Sequence, residues 1–283
     1  MRKINTVCAI ALTLMAGCTK FQALDAVVPS CGYVRTSNQP YGNLPVQKLD
    51  VYKPKDAKSP AKVVIFFYGG NWQNGSKEDY RFVAQALSSR GFVAILPDYT
   101  RYPAGQFPAF LEDGALAVRW AHDNAARFGG DPDHIYLMGH SAGAHIAALL
   151  TLDAHYLKDA GLDRAAIRGT VALSGPYDFL PGPDDRPVFG MARDSITPDP
   201  RIEPITFVDG HAPPMLLIHG LKDETVGADN AIRLAERIRE KGGQVRYIAY
   251  PDRAHVGVVL SLAWPFRWLA PTLDDAATFI NEH

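Results

Sequence analysis

Gly139-His140-Ser141-Ala142-Gly143 places a serine between two glycines, and its flanks say what that serine can do. Ahead of it runs the apolar stretch "HIYLM", and behind it "AGAHIAALL". A strand that turns into a helix through G-x-S-x-G exposes the hydroxyl on a sharp bend, where only small flanking residues fit. The helix N-terminus beside Ser141 favours negative charge developing there. A hydroxyl so placed is an acyl-transfer nucleophile once a base removes its proton.

The base and its orienting acid are sought at the ends of later strands. "PMLLIHG" is followed by "LKDETV", which puts Asp223 in a loop at a strand's carboxyl end. "VRYIAYP" is followed by "DRAHVG", which puts His255 in the next such loop. Ligands of open α/β sheets bind outside those carboxyl ends, so Ser141, Asp223 and His255 converge on one edge. His255 would take the Ser141 proton, and Asp223 would fix the imidazole tautomer. Asp178, in "SGPYDF", is the alternative acid. Of the other histidines, His219 is expected to be buried and hydrogen-bonded near a strand end, and His145 lies one turn into a helix.

Acyl transfer also requires donors for a developing oxyanion. "FFYGGNW" ends an early strand with a glycine pair, which lets backbone N–H groups approach a substrate oxygen. The expected donors are the N–H groups of Gly70, Asn71 and Ala142. Trp72 and His140 are the candidate substrate-contacting side chains. Asp98 and Arg101 in "PDYTRYP" read as a structural turn pair.

These residues need a scaffold that alternates strands with helices. "QKLDVYKP", "KVVIFFYGG", "FVAILPDY", "HIYLMGHS", "IRGTVALSG", "PMLLIHG" and "VRYIAYP" read as strands, most of them continuous apolar runs suited to burial on both faces. Helical patterns fall at residues 77–90, 108–128, 142–152, 228–241 and 272–282, with Gly242-Gly243 capping the fourth. The expected fold is α/β, a doubly wound and mainly parallel sheet of about eight strands with helices on both faces. Residues 46–283 read as one domain. Residues 176–214, rich in Pro, Asp and Gly, break the rhythm and read as a substrate-binding insert.

With 283 residues and 47% hydrophobic side chains, the chain can bury a large core. Its 29 basic and 30 acidic groups leave a net charge of -1, which gives no electrostatic reason to expect nucleic acid as a partner. No Cys/His spacing suggests a zinc site, and neither metal nor organic cofactor is expected.

"MRKINTVCAIALTLMAGC" has a basic start, an apolar run and then small residues, the layout of an export signal over residues 1–17. Its end, Met15-Ala16-Gly17-Cys18, resembles a bacterial lipobox, which implies lipid on Cys18 and anchoring in the cell envelope, facing the periplasm or the outside. Thr19 resembles outer-membrane sorting. Residues 18–45 then read as a tether into the domain. Cys8 would leave with the signal and Cys31 would remain as a lone buried thiol. Without lipidation, Cys18 and Cys31 are a candidate disulfide.

From about residue 41 to 283 the chain resembles bacterial α/β-hydrolase-fold carboxylesterases, including feruloyl-esterase-like and kynurenine-formamidase-like members. "QKLDVYKP", "YGGNW", "PDYTRYP", "FPAFLEDGALAVRWAHDNAARFGGDP", "GHSAGAH", "HGLKDETV" and "AHVG" occur in that family's order. Tyr68 stands where a histidine usually precedes the glycines. The resemblance implies hydrolysis of carboxylic esters through an acyl-Ser141 intermediate, with small-molecule esters as substrates. The absence of a large lid insertion suggests short to medium acyl chains. A formamidase or amidase with the same triad, or a lipase or polymer esterase acting at an interface, are the alternatives. A surface lipoprotein that binds without turnover ranks below them.

Overall fold

The computed structural model describes Leu24 and residues 28–57, 60–197 and 199–283. The expected signal and Cys18 lie outside the described residues. Among those described, eight strands form one sheet: β1 (Tyr33–Pro40), β2 (Lys48–Pro54), β3 (Ala61–Phe67), β4 (Val93–Pro97), β5 (Gly130–His140), β6 (Ile167–Leu173), β7 (Met215–Gly220) and β8 (Val245–Tyr250). Their order is β1-β2-β4-β3-β5-β6-β7-β8. β1, β2 and β4 pair antiparallel, and every pairing from β4 to β8 is parallel.

The helices are α1 (Arg81–Ser88), α2 (Ala109–Asn124), α3 (Ala142–Leu152), α4 (Ala154–Asp159), α5 (Asp229–Glu240), α6 (His255–Leu260) and α7 (Thr272–Glu282). The ends of the patterns at 77–90 and 108–128 are tightened into 3-10 turns, Lys77–Tyr80 and Ala125–Phe128. The crossover from β3 to β4 runs in one direction along the sheet and that from β5 to β6 in the other, and such parallel connections are right-handed as a rule. They therefore place α1 and α3 on opposite faces. Gly242, at φ +79°, ends α5 as its position suggested, and the amide of Gly243 donates to Ile238 O at 2.9 Å.

The central strands are buried on both faces. From Val63 to Phe67 every side chain of β3 is inaccessible, and each such Val, Ile or Phe contributes about 1.5–3 kcal/mol relative to exposure. α3 is buried along its whole length, which explains why its sequence lacks a polar face. Ala144, Ala148 and Leu152 of α3 share a second cluster with Leu217 of β7 and Leu234 and Ile238 of α5.

The expected tether over residues 18–45 differs from what is found. Residues 33–40 are the edge strand β1, paired with β2. One side of an edge strand faces solvent, so β1 lacks the apolar run that marks a buried strand, and Val34 is 52% exposed. Cys31 is exposed rather than buried, because it precedes that edge strand.

Candidate active site

Ser141 joins β5 to α3 at φ +55° and ψ −122°, in a region that side chains other than glycine rarely adopt. Both ends of the bend are pinned: Ser141 N donates to Leu173 O at 2.9 Å, and His145 N donates to Ser141 O at 3.0 Å. The glycines are there for contact. A Cβ on Gly143 would lie 2.0 Å from Phe67 O, and one on Gly139 would lie 2.2 Å from Gly143 O. Packing that close to β3 puts the serine beside the loop that follows β3.

That loop carries two of the three residues expected to supply oxyanion donors, Gly70 and Asn71, and the third, Ala142, opens α3 directly after Ser141. Gly70, Asn71 and Trp72 all have positive φ, at 134°, 52° and 56°. Their turn is closed by Asn74 N donating to Gly70 O at 2.8 Å, and a Cβ on Gly70 would strike Asn74 O. Gly69 presses on the elbow: its Cβ would be 3.0 Å from His140 O and 3.1 Å from Ser141 Cβ. The loop after β4 holds it from outside. Asp98 accepts from Lys77 N at 2.8 Å, Tyr102 N donates to Trp72 O at 2.9 Å, and the Arg101 guanidinium bonds Gly75 O. Asp98 and Arg101 are thus structural, as expected, but each clamps this loop rather than pairing with the other. Tyr68 supports the loop from below, stacked at 4.4 Å on Tyr99, whose hydroxyl donates to Tyr68 O.

Asp223 and His255 meet as their loops suggested. His255 Nδ1 lies 2.8 Å from Asp223 Oδ2. The other oxygen, Oδ1, accepts from the amides of Thr225 and Val226 at 3.0 and 2.9 Å. His219 Nε2 sits 3.2 Å from Oδ2 and 2.9 Å from Val226 O. Burial alone would raise the Asp223 carboxyl. The hydrogen bonds from His219, His255 and the Val226 amide outweigh it and hold the group well below the usual carboxylate range. Asp178, the alternative acid, is drawn away to Arg233 of α5.

His219 is buried as expected, but its contact with Asp223 was not legible in the sequence. Asp223 follows His219 by four positions, and nothing in that spacing says that the turn folds back onto the strand end. His140 was expected to touch substrate. It does not line the cavity described next, and its ring is 3% exposed. Its Nε2 lies 3.2 Å from His255 O, and the two rings are 4.8 Å apart. Burial, with His255 beside it, lowers its pKa to about 3, so the ring is neutral.

Beside Ser141 is a cavity of about 220 Å³. Asn71, Trp72 and Thr225 contribute to its wall, and so do Phe179, Leu180 and Asp185 of the insert at 176–214. Trp72 does double duty as wall and core: it is 4% exposed and packs on His145 and Phe189 at ring distances of 5.0 and 4.8 Å. The insert is held down by Asn230 of α5, whose Oδ1 accepts from Tyr177 N and Asp178 N.

A mostly parallel eight-stranded sheet with a strained serine between β5 and α3 defines an α/β-hydrolase. Within that class the chain belongs to the BD-FAE family, which matches residues 49–238. Esterase LipC of Mycobacterium tuberculosis is 32% identical over 93% of this chain and 70% of its own length. The probable isoprenylcysteine alpha-carbonyl methylesterase ICMEL1 of Arabidopsis thaliana is 31% identical over 81% of this chain, which spans only 52% of that relative. A truncated carbohydrate esterase from gut microbiota superposes with a TM-score of 0.78, covering 90% of this chain and 98% of its own, at 22% identity. That last likeness is one of fold.

Proposed function

We propose that this protein is a serine carboxylesterase that hydrolyses small-molecule carboxylic esters, with short to medium acyl chains, through an acyl-serine intermediate. The observation that carries the reading is the 2.8 Å contact between His255 Nδ1 and Asp223 Oδ2 at the same sheet edge as the strained Ser141. Its esterase relatives support the reaction type. In this reading His255 Nε2 takes the proton from Ser141 Oγ as that oxygen attacks the ester carbonyl carbon. The N–H groups of Gly70, Asn71 and Ala142 hold the resulting oxyanion. The carbon–oxygen bond to the alcohol then breaks, and His255 returns the proton to the leaving oxygen. Water repeats the cycle on the acyl-enzyme and releases the acid and free Ser141. Asp223 keeps the Nδ1 proton in place and stabilises the imidazolium. The N-terminal motif supports export and lipidation at Cys18, with anchoring in the outer membrane.

The test is hydrolysis of p-nitrophenyl esters from acetate to palmitate by the wild type and by Ser141→Ala. Release by the wild type with almost none by the variant is expected, and an optimum at short or medium chains fits the acyl assignment. Equal rates in the two proteins would remove Ser141 from the chemistry. For the anchor, Cys18→Ser is expected to move the protein from the membrane fraction to the soluble one, and unchanged retention would overturn that part.

A further inference from the structure

Asp185 is a carboxylate in the cavity that the proposed reaction does not use. It sits half-buried on the insert, in the same wall system as Ser141. Its Oδ1 accepts from Gln73 Nε2 at 2.8 Å, which fixes the side chain against the loop bearing Asn71 and Trp72. Among the described residues no hydrogen bond or ion pair engages its Oδ2. The charge of Asp184, of like sign, acts on it, and Asp184 itself pairs with Arg193. Arg186, next in the chain, directs its guanidinium to the carbonyls of Pro181 and Arg193 instead. Burial, reinforced by Asp184, pushes the Asp185 carboxyl above the usual aspartate range, as befits a charge without a cation partner.

The rest of the wall suits a cation. Trp72 and Phe179 present nearly parallel rings 6.1 Å apart, at an interplanar angle of 9°. Ring faces attract cations through their quadrupole, most strongly where water is excluded. Trp72 Nε1 is a buried donor with no partner among the described residues, on a side chain that lines this same cavity. A free carboxylate oxygen and two aromatic rings around one space suit a cation, while the unused indole N–H, which repels a cation, suits an ester oxygen of the same substrate.

We infer that Asp185 is a specificity-determining residue: the cavity takes esters that carry an ammonium group at one end ahead of neutral ones, and turns away those with an anionic end. This rests on the esterase reading above and names the substrate charge that the site selects. Asp185 touches neither the nucleophile nor the base. Its effect falls on the ratio of kcat/KM between substrates of different charge.

The experiment compares butyrylcholine, 3,3-dimethylbutyl butyrate and 3-sulfopropyl butyrate, which share an acyl group and differ in charge at the alcohol end. A second series carries the same charge types at the acyl end of methyl esters. The wild type is expected to rank cation over neutral over anion in at least one series. Asp185→Asn, which keeps an oxygen for Gln73, is expected to lower kcat/KM for the cation and raise it for the anion, each by about five-fold. Circular dichroism and the urea midpoint serve as the control for folding, each kcat/KM is read as a ratio to that of the neutral ester in the same protein, and Asp185→Glu is expected to restore the ranking. Added salt should shrink the wild-type spread. Turnover of the neutral ester with no charge preference, or a preference that survives in Asp185→Asn, overturns the assignment of Asp185 alone. A folded wild type that hydrolyses no neutral ester overturns the esterase reading, and this inference with it.

Discussion

His140 Nε2 lies 3.2 Å from the main-chain oxygen of His255, so the residue before the candidate nucleophile braces the residue proposed as its base. The contact crosses from β5 to the start of α6, 115 positions apart in sequence. With Nε2 donating, Nδ1 is bare and buried, which suits a ring that stays neutral. His140 is therefore a positioning residue. His140→Ala is expected to lower kcat by about ten-fold with KM little changed, because a small displacement of the base is costly to proton transfer. His140→Gln, which retains a donor, should recover part of the loss. If KM alone rose in His140→Ala, His140 would belong to the substrate wall after all.

Asp223 is surrounded entirely by donors: two backbone amides on one oxygen and His255 on the other, with His219 close by. Asp223→Asn places an amide NH₂ among them. Turned toward His255, it would force Nδ1 to accept and leave the proton on Nε2, where the base is needed. A fall in kcat of about 10³–10⁴ is expected, with secondary structure retained by circular dichroism. A loss below ten-fold would mean that His255 does not depend on Asp223 for its tautomer.

Much of this architecture could be read from the chain, and the failures have a common cause. Buried strands announce themselves by continuous apolar runs, so β3 to β7 were legible. The elbow was legible because steric crowding admits only glycine at 139 and 143. β1 was not, because an edge strand needs apolar side chains on one side at most, and "YVRTSNQP" reads as a loop. The triad candidates follow from strand order, whereas His140, His219 and Asp185 take their roles from contacts between loops that no local spacing encodes.

The elbow also gives a prediction on stability. Gly143→Ala would drive a methyl to 2.0 Å from Phe67 O, and neither α3 nor β3 has room to retreat. A loss of about 2–4 kcal/mol is expected by urea denaturation. Gly257→Ala in α6 meets only Arg253 side-chain atoms at 3.8 Å or more and should be neutral or slightly stabilising. Equal effects at the two positions would show that contact at the elbow is not what demands glycine.

The last prediction concerns acid and the fold rather than catalysis. His145 is fully buried in α3, edge-on to Trp72, with Nε2 2.7 Å from Ile202 O of the insert. Burial lowers its pKa to about 4, only partly opposed by that carbonyl. The ordinary value in an unfolded chain is about 6.5. Between those two values the unfolded state binds the proton and the folded state does not, so stability falls as pH falls through that window. Above about pH 6.5 both states are neutral and the effect vanishes. The wild type is therefore expected to lose about 1–2 kcal/mol more between pH 7 and pH 5 than His145→Gln, whose amide can still donate to Ile202 O. Urea midpoints at the two pH values measure this directly. Parallel losses in the two proteins would mean that His145 takes up its proton without unfolding, and that the seam between α3 and the insert opens to water.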